Sequence, residues 1–130
     1  MSGLLLAIAL VAAPLQETQP EEADDIVVIG KRLGLWRGSY RIVKDKVRCK
    51  TRQSIGDRAI DAIGCDALVK CAGMLAPRLA ATDTPALEPS VQATMKADVQ
   101  RQLGACVFEK RRDGIADLAR RRAEARRSAR

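Results

Sequence analysis

Hydrophobic and polar positions change period several times along the chain. Residues 26–29, Ile-Val-Val-Ile, form a β-branched run that Gly30 ends or bends, which predicts a strand. After Gly34 and Gly38, which flank Leu35, Trp36 and Arg37, residues 39–43 resume strand-like composition, and Lys44, Asp45 and Lys46 predict a turn. Val47, Cys49 and Thr51 then alternate with Arg48 and Lys50, the two-residue period of a strand with one covered face. The period next lengthens to that of a helix. Ile60, Ile63, Gly64, Ala67, Cys71 and Met74 make one apolar stripe, with Ser54 as the expected cap and Asp57 completing a capping-box-like start. This helix should run over residues 54–75, because Pro77 stops or kinks it. Residues 80–89 read as a loop broken by Pro85 and Pro89. Ser90 can cap a second helix whose stripe is Val91, Met95, Val99, Leu103 and Cys106, weakened locally by Gly104. The expected fold is α+β, a three-stranded antiparallel meander packed on two main helices over residues 26–108.

The two ends follow other rules. Residues 1–13 read as a signal-peptide-like segment, in which residues 4–13 are an unbroken apolar run, long enough for a signal-peptide core and too short for a membrane span of about 20 residues. Val11 and Ala13 fit the small-residue cleavage pattern, although Pro14 follows directly and no Lys or Arg precedes the run. An apolar helix docked on the domain, or a mis-assigned start codon, would account for the same residues. Cysteine is absent just after the run, which argues against a lipoprotein. Residues 14–25 carry Glu17, Glu21, Glu22, Asp24 and Asp25 and nothing to bury, so they read as a disordered acidic linker. Residues 109–130 form an Arg-rich tail with high helix propensity. It has no bulky apolar residue after Leu118, so it should project into solvent or fray, and deleting residues 119–130 should leave the fold intact.

Composition sharpens this picture. A chain of 130 residues supports one small domain, and its apolar fraction of 47% is largely alanine, with Trp36, Tyr40 and Phe108 as the aromatic residues. Such a core gains much from covalent staples, and four cysteines suffice for two. Cys65 and Cys71 lie six residues apart on one predicted helix, about 9 Å along its axis, too far for a bridge that needs Cα atoms within about 7 Å. Cys71 and Cys106 sit on the apolar stripes of the two helices, while Cys49 faces the core beside the flank that carries Cys65. Cys49–Cys65 with Cys71–Cys106 is therefore the expected pairing, and Cys49–Cys71 with Cys65–Cys106 the alternative.

Catalytic chemistry finds little support. The cysteines are separated by 15, 5 and 34 residues and the chain has no histidine, which disfavours a zinc site, thioredoxin-like redox chemistry and a base-activated nucleophile alike. Helix capping and solvation account for Asp57, Asp61 and Asp66 better than acid–base work does. No catalytic residue, metal or cofactor is expected.

One stretch carries a resemblance. Asp25-Ile-Val-Val-Ile-Gly-Lys-Arg32 resembles a segment near the mature N-terminus of TonB-dependent receptors, but no barrel-sized sequence follows, and a strand pairing within the domain explains it as well. More broadly, Ile26-Val-Val-x-Gly-Lys-Arg-Leu33, Trp36-Arg-Gly38, Val47-Arg-Cys49-Lys-Thr51 and Gly56-Asp-Arg-x-Ile-Asp-Ala-Ile-Gly-Cys65 resemble small exported proteins of sphingomonad-type alphaproteobacteria. The resemblance covers roughly residues 26–71 and implies export and a shared fold, without catalytic residues to carry over.

Charge then points to partners. The net charge is +7. A cationic exported protein, periplasmic or secreted and without a membrane span in its mature chain, meets anionic lipid head groups or acidic proteins first. Arg120, Arg121, Arg122, Arg126 and Arg127 in the tail are the candidate anion-binding residues. Residues 31–50 hold eight basic side chains against Asp45, and solvated cations of this kind also guard exposed strands against pairing. The expected function is that of a small exported cationic binding or structural protein. The alternative is a cytoplasmic basic nucleic-acid-associated protein with the tail as its arm, though the stacking aromatics and helix-turn-helix or RNA-recognition patterns of such proteins are missing.

Overall fold

The computed structural model describes residues 19–130, in the order α1 (Pro20–Leu33), β1 (Arg37–Val43), β2 (Lys46–Gln53), α2 (Arg58–Ala81) and α3 (Pro89–Ser128). The apolar run of residues 4–13 and residues 14–18 of the expected linker lie outside the described residues.

The strand expected over residues 26–29 is the middle of α1, so the α+β fold has three helices and a two-stranded antiparallel sheet in place of a three-stranded meander. The β-branched run hides a helical period. Ile26, Ile29 and Leu33 recur at i, i+3 and i+7, and α1 buries Ile29 and Leu33 while leaving Val27 and Val28 outside. Burying an Ile or Leu is worth roughly 1.5–3 kcal/mol, against a β-preference scale that spans about 1 kcal/mol. Charge supports the same choice. Pro20 opens the helix, Glu21 and Glu22 lie in its first turn, and Lys31 and Arg32 lie in its last, as the helix dipole favours. Residues 20–25 are therefore the first turns of α1 and not part of a disordered linker.

The hairpin follows the sequence alternation closely. Lys44 and Asp45 both adopt positive φ, 50° and 64°, in a two-residue turn, and Tyr40 faces Cys49 while Ile42 faces Val47. Helix α2 begins later and ends later than its periodicity suggests. Asp57, not Ser54, is the N-cap, accepting from the backbone N–H groups of Ala59 and Ile60, and the helix passes through Pro77 to Ala81. Beyond the proline, Arg78 is held by Asp98 and Gln102 of α3, and the buried Thr82 hydroxyl donates to the Leu79 carbonyl at 2.7 Å. The second long helix starts at Pro89 on an N-cap Glu88, so Ser90 lies inside it.

Helices α1 and α2 both run antiparallel to α3. Asp25 meets Arg126 and Gly30 lies near Ile115, while Asp57 meets Arg122, Cys71 bonds Cys106 and Arg78 meets Asp98. Two apolar clusters result. One gathers Ile29, Leu33, Trp36, Ile60, Ile63, Leu118 and Ala119, and the other gathers Cys71, Ala72 and Leu103. Each cluster carries one disulfide, Cys49–Cys65 at the first and Cys71–Cys106 at the second, with Cα atoms 5.6 and 5.8 Å apart. The pairing is the one that helix geometry favours. By loop-closure entropy, separations of 16 and 35 residues correspond to roughly 3 and 4 kcal/mol of stabilisation.

The tail does not project. Residues 109–128 continue α3, and Leu118, Ala119 and Ala123 are buried. Alanine serves here because it lets two helices approach closely, so bulky apolar residues are not required. Deleting residues 119–130 would therefore uncover α1 and the start of α2, contrary to the expectation from sequence.

Trp36 is the largest fully buried side chain, 2% exposed, and lies between the hairpin and α2. A Cβ placed on Gly64 would sit 2.6 Å from indole Cδ2, and one on Gly38 would sit closer still to the ring. Gly64→Ala is thus expected to destabilise the protein by about 1–3 kcal/mol through overpacking. Gly73→Ala in the same helix meets only Val47 at an ordinary 3.9 Å and should be neutral or stabilising by about 0.5–1 kcal/mol. Urea unfolding of both variants measures the contrast; equal stabilities would show that the indole is not confined.

Candidate functional site

Alternation along the hairpin sorts its side chains onto two faces. Tyr40 and Val47 pack on the second apolar cluster, and Cys49 packs on the first. The intervening residues point away from them. Arg41 lies directly across from Arg48, and Ser39 directly across from Lys50. Arg52 Nε donates to Ser39 Oγ at 2.9 Å, so this outer face brings together Arg41, Arg48, Lys50 and Arg52 around one hydroxyl. They line an open cleft of about 550 Å³.

Two features make this face unusual. Like charges directly opposed on an antiparallel pair are destabilising, by a few tenths of a kcal/mol to about 1 kcal/mol. Among the described residues, none of the four cations has a carboxylate within 4.0 Å. Cβ positions about 5 Å apart across the pair, with strand neighbours two residues away at about 7 Å, form a small cationic grid suited to several anionic oxygens at once. Ser39 is the hydroxyl within it, but the chain has no histidine to activate it. Four cations around a hydroxyl are able to bind an anion.

The five arginines proposed from sequence are placed differently. Arg120 and Arg121 both pair with Asp117 one turn away, Arg122 pairs with Asp57 at 2.8 Å, and Arg126 pairs with Asp25. Arg127 donates to the Gln19 side chain at 3.1 Å, and Arg130 pairs with Glu21 at 3.0 Å. The contacts of Arg122, Arg126, Arg127 and Arg130 lash the end of α3 to the starts of α1 and α2. Asp25 raises the pKa of Arg126 further above its ordinary value, chiefly by the hydrogen bond it accepts. The five do not converge on a common site.

The hairpin cations were legible as residues, since Arg48, Lys50 and Arg52 recur every second position. Their solvated-guard reading lacked the register, which sets Arg41 against Arg48 and supplies no acid. Among the described residues, no group of three or more His, Cys, Asp or Glu side chains could hold a metal ion, and no helix is long and apolar enough to cross a membrane. Of the candidate carboxylates, Asp61 accepts from the Ser54 hydroxyl and from the Ile55 N–H at 3.1 Å. Asp66 lines a cleft of mixed charge with Lys70, Lys110 and Asp113. Comparison with protein-family models, curated proteins and solved structures gives no match.

Asp57 is the carboxylate with the most work to do. It caps α2 and accepts from Arg122, with Arg32 at 3.5 Å. The Arg122 hydrogen bond holds its pKa below the ordinary carboxylate value, against an opposing contribution from burial, and the Ile60 N–H, the Arg122 charge and the Ala59 N–H add to the lowering. Its folded pKa therefore lies below its unfolded one. The stability it contributes is complete above an unfolded pKa of about 3.9 and is lost as pH falls through the lowered folded value. Asp57→Asn keeps a good capping oxygen but loses the charge and the second oxygen, which accepts from Arg122. The variant is expected to be less stable than the parent at pH 7, with the gap closing below about pH 3.9. Denaturant titrations of both proteins across this range test it; a gap independent of pH would remove Asp57 from the linkage.

Proposed function

We propose that the protein is an exported, disulfide-bonded binding protein that docks on anionic surfaces, phosphate-bearing lipid head groups, through the outer face of its hairpin. The observation that carries this reading is the grid of Arg41, Arg48, Lys50 and Arg52, set with two arginines directly opposed and no acid among the described residues to neutralise them. A protein that keeps such a face relieves its repulsion by binding an anion. Two disulfides favour an oxidising compartment. The likeness of residues 26–71 to small exported proteins of sphingomonad-type bacteria points the same way.

Each Lys or Arg near an anionic membrane contributes about 1 kcal/mol, so the double variant Arg48→Gln/Lys50→Gln should bind about thirtyfold more weakly to vesicles containing anionic lipid. Added salt should weaken the parent protein in the same direction. Sedimentation with anionic and with neutral vesicles reads both effects. Unchanged binding by the double variant would sink the hairpin as the contact face, and preference for an acidic protein or for RNA over vesicles would redirect the reading. Export itself is expected to leave a chain beginning between residues 13 and 25, and a start no later than residue 19 keeps α1 whole. Intact-mass analysis of the protein from its native host decides this; a full-length cytosolic product with free thiols would contradict it.

A further inference from the structure

A second candidate surface shares no lining residue with the hairpin cleft. Between α1 and α3 runs a groove of about 480 Å³, walled by Ile26, Gly30, Leu33, Phe108, Ile115 and Ala116. Phe108 is 71% exposed at its lip, the most exposed large apolar side chain among the described residues. The groove is apolar along its length but cationic at one end. Arg111 and Arg112 line it, and Arg111 lies with Cζ 5.3 Å from the centre of the Trp36 ring. Arg37 reaches the same end, donating to the carbonyls of Gly34 and Trp36 at 2.7 and 2.9 Å.

Arg111 has an incomplete set of partners. Its Nε is buried with no hydrogen-bond acceptor among the described residues. Burial, and secondarily the charge of Arg37, push its pKa below the ordinary arginine value, the signature of a cation without a counter-ion. No described carboxylate comes within 4.0 Å of Arg111 or Arg112. An apolar trough ending in unpaired guanidinium groups has the shape and polarity of an extended amphiphile with a single anionic head. Its volume falls within the roughly 300–1,000 Å³ of small-molecule sites.

We propose that this groove binds the hydrocarbon chain of a long-chain fatty acid lying along α1 and α3, with the carboxylate paired to Arg111 and the chain running from there past Gly30 and Ile115 toward Ile26. The proposal goes beyond docking at the hairpin and does not depend on it. Gly30 faces the groove with ample space, since a Cβ there would meet only Ile115 Cδ1 at 3.9 Å. Gly30→Leu therefore fills the trough without displacing the core.

The test is titration of the disulfide-bonded protein with palmitate and with hexadecanol, the alcohol of equal chain length, followed by calorimetry. The parent should bind palmitate saturably and at least tenfold more tightly than hexadecanol. Gly30→Leu should weaken both at least tenfold, whereas Arg111→Met should weaken palmitate alone and so erase the preference. Arg48→Gln/Lys50→Gln should leave palmitate binding unchanged, which separates this site from the hairpin. No saturable palmitate binding by the parent would overturn the proposal. So would equal affinities for acid and alcohol, or palmitate binding that a folded Gly30→Leu variant retains. A parent that dimerises, is made monomeric by Gly30→Leu and takes up no palmitate would give the groove to a second copy of the chain and overturn it as well.

Discussion

The seating of one indole governs how the other elements meet. Most of this core is Ala, Ile, Leu and Val, and Trp36 needs a space that such side chains cannot leave by accident. Gly38 on β1 and Gly64 on α2 supply it by having no side chain where the ring lies. The indole N–H donates to Thr51 Oγ1 at 3.2 Å, and that hydroxyl lies 3.8 Å from Cys65 Sγ. A disulfide sulfur has no proton, so Thr51 is the donor of that second contact. Backbone follows side chain: the Trp36 N–H closes on the Leu33 carbonyl at 3.0 Å, fixing the exit from α1 into β1. Arg111 then covers the ring from α3. One residue thus sets α1, the hairpin, α2 and α3 at fixed distances, and the Cys49–Cys65 bridge locks the arrangement from the hairpin side.

How much of this was legible depended on whether local pattern and tertiary burial agreed. In β2 they agreed, because Val47, Cys49 and Thr51 are both alternating and covered. The two helical cysteine stripes likewise led to the pairing found. They disagreed at residues 26–29, where four β-branched side chains imitate a strand while Ile26, Ile29 and Leu33 keep a helical period. Distant partners decided that case, and a linear reading cannot supply them. The same holds for residues 20–25, whose acids look like solvated linker until Arg126 and Arg130 are placed beside them. Asp57 was legible as part of a helix start, but its pairing across 65 residues with Arg122 was not.

Charge shows the same lesson in another form. Arginine-rich residues 120–130 are the densest cationic stretch of the chain, yet their guanidinium groups are largely spent on intramolecular carboxylates and amides. Sparser cations on the hairpin are spaced by strand geometry and left without acids. Local density of Lys and Arg is thus a poor guide to which positive charge is available, and what counts is the register that brings partners or withholds them. The net charge of +7 therefore says nothing about where positive charge is left without acids.

The antiparallel clasp between α1 and α3 also constrains the order of events in time. Asp25 and Arg126 are separated by 101 residues, and Glu21 and Arg130 by 109, so α1 meets α3 only after the whole of α3 has been made. Closing so long a loop costs little more than closing a shorter one, about 0.6 kcal/mol per doubling, but it cannot happen early. Until then Ile26, Ile29 and Leu33 have only part of their cover, from Trp36, Ile60 and Ile63, a condition that invites chaperone capture or aggregation. The hairpin and its junction with α2 use near neighbours and can form first, with the Cys49–Cys65 bond closing only 16 residues. Sequence separation thus favours closure from the hairpin outward, with the contacts of the last turns of α3 as the most distant to close.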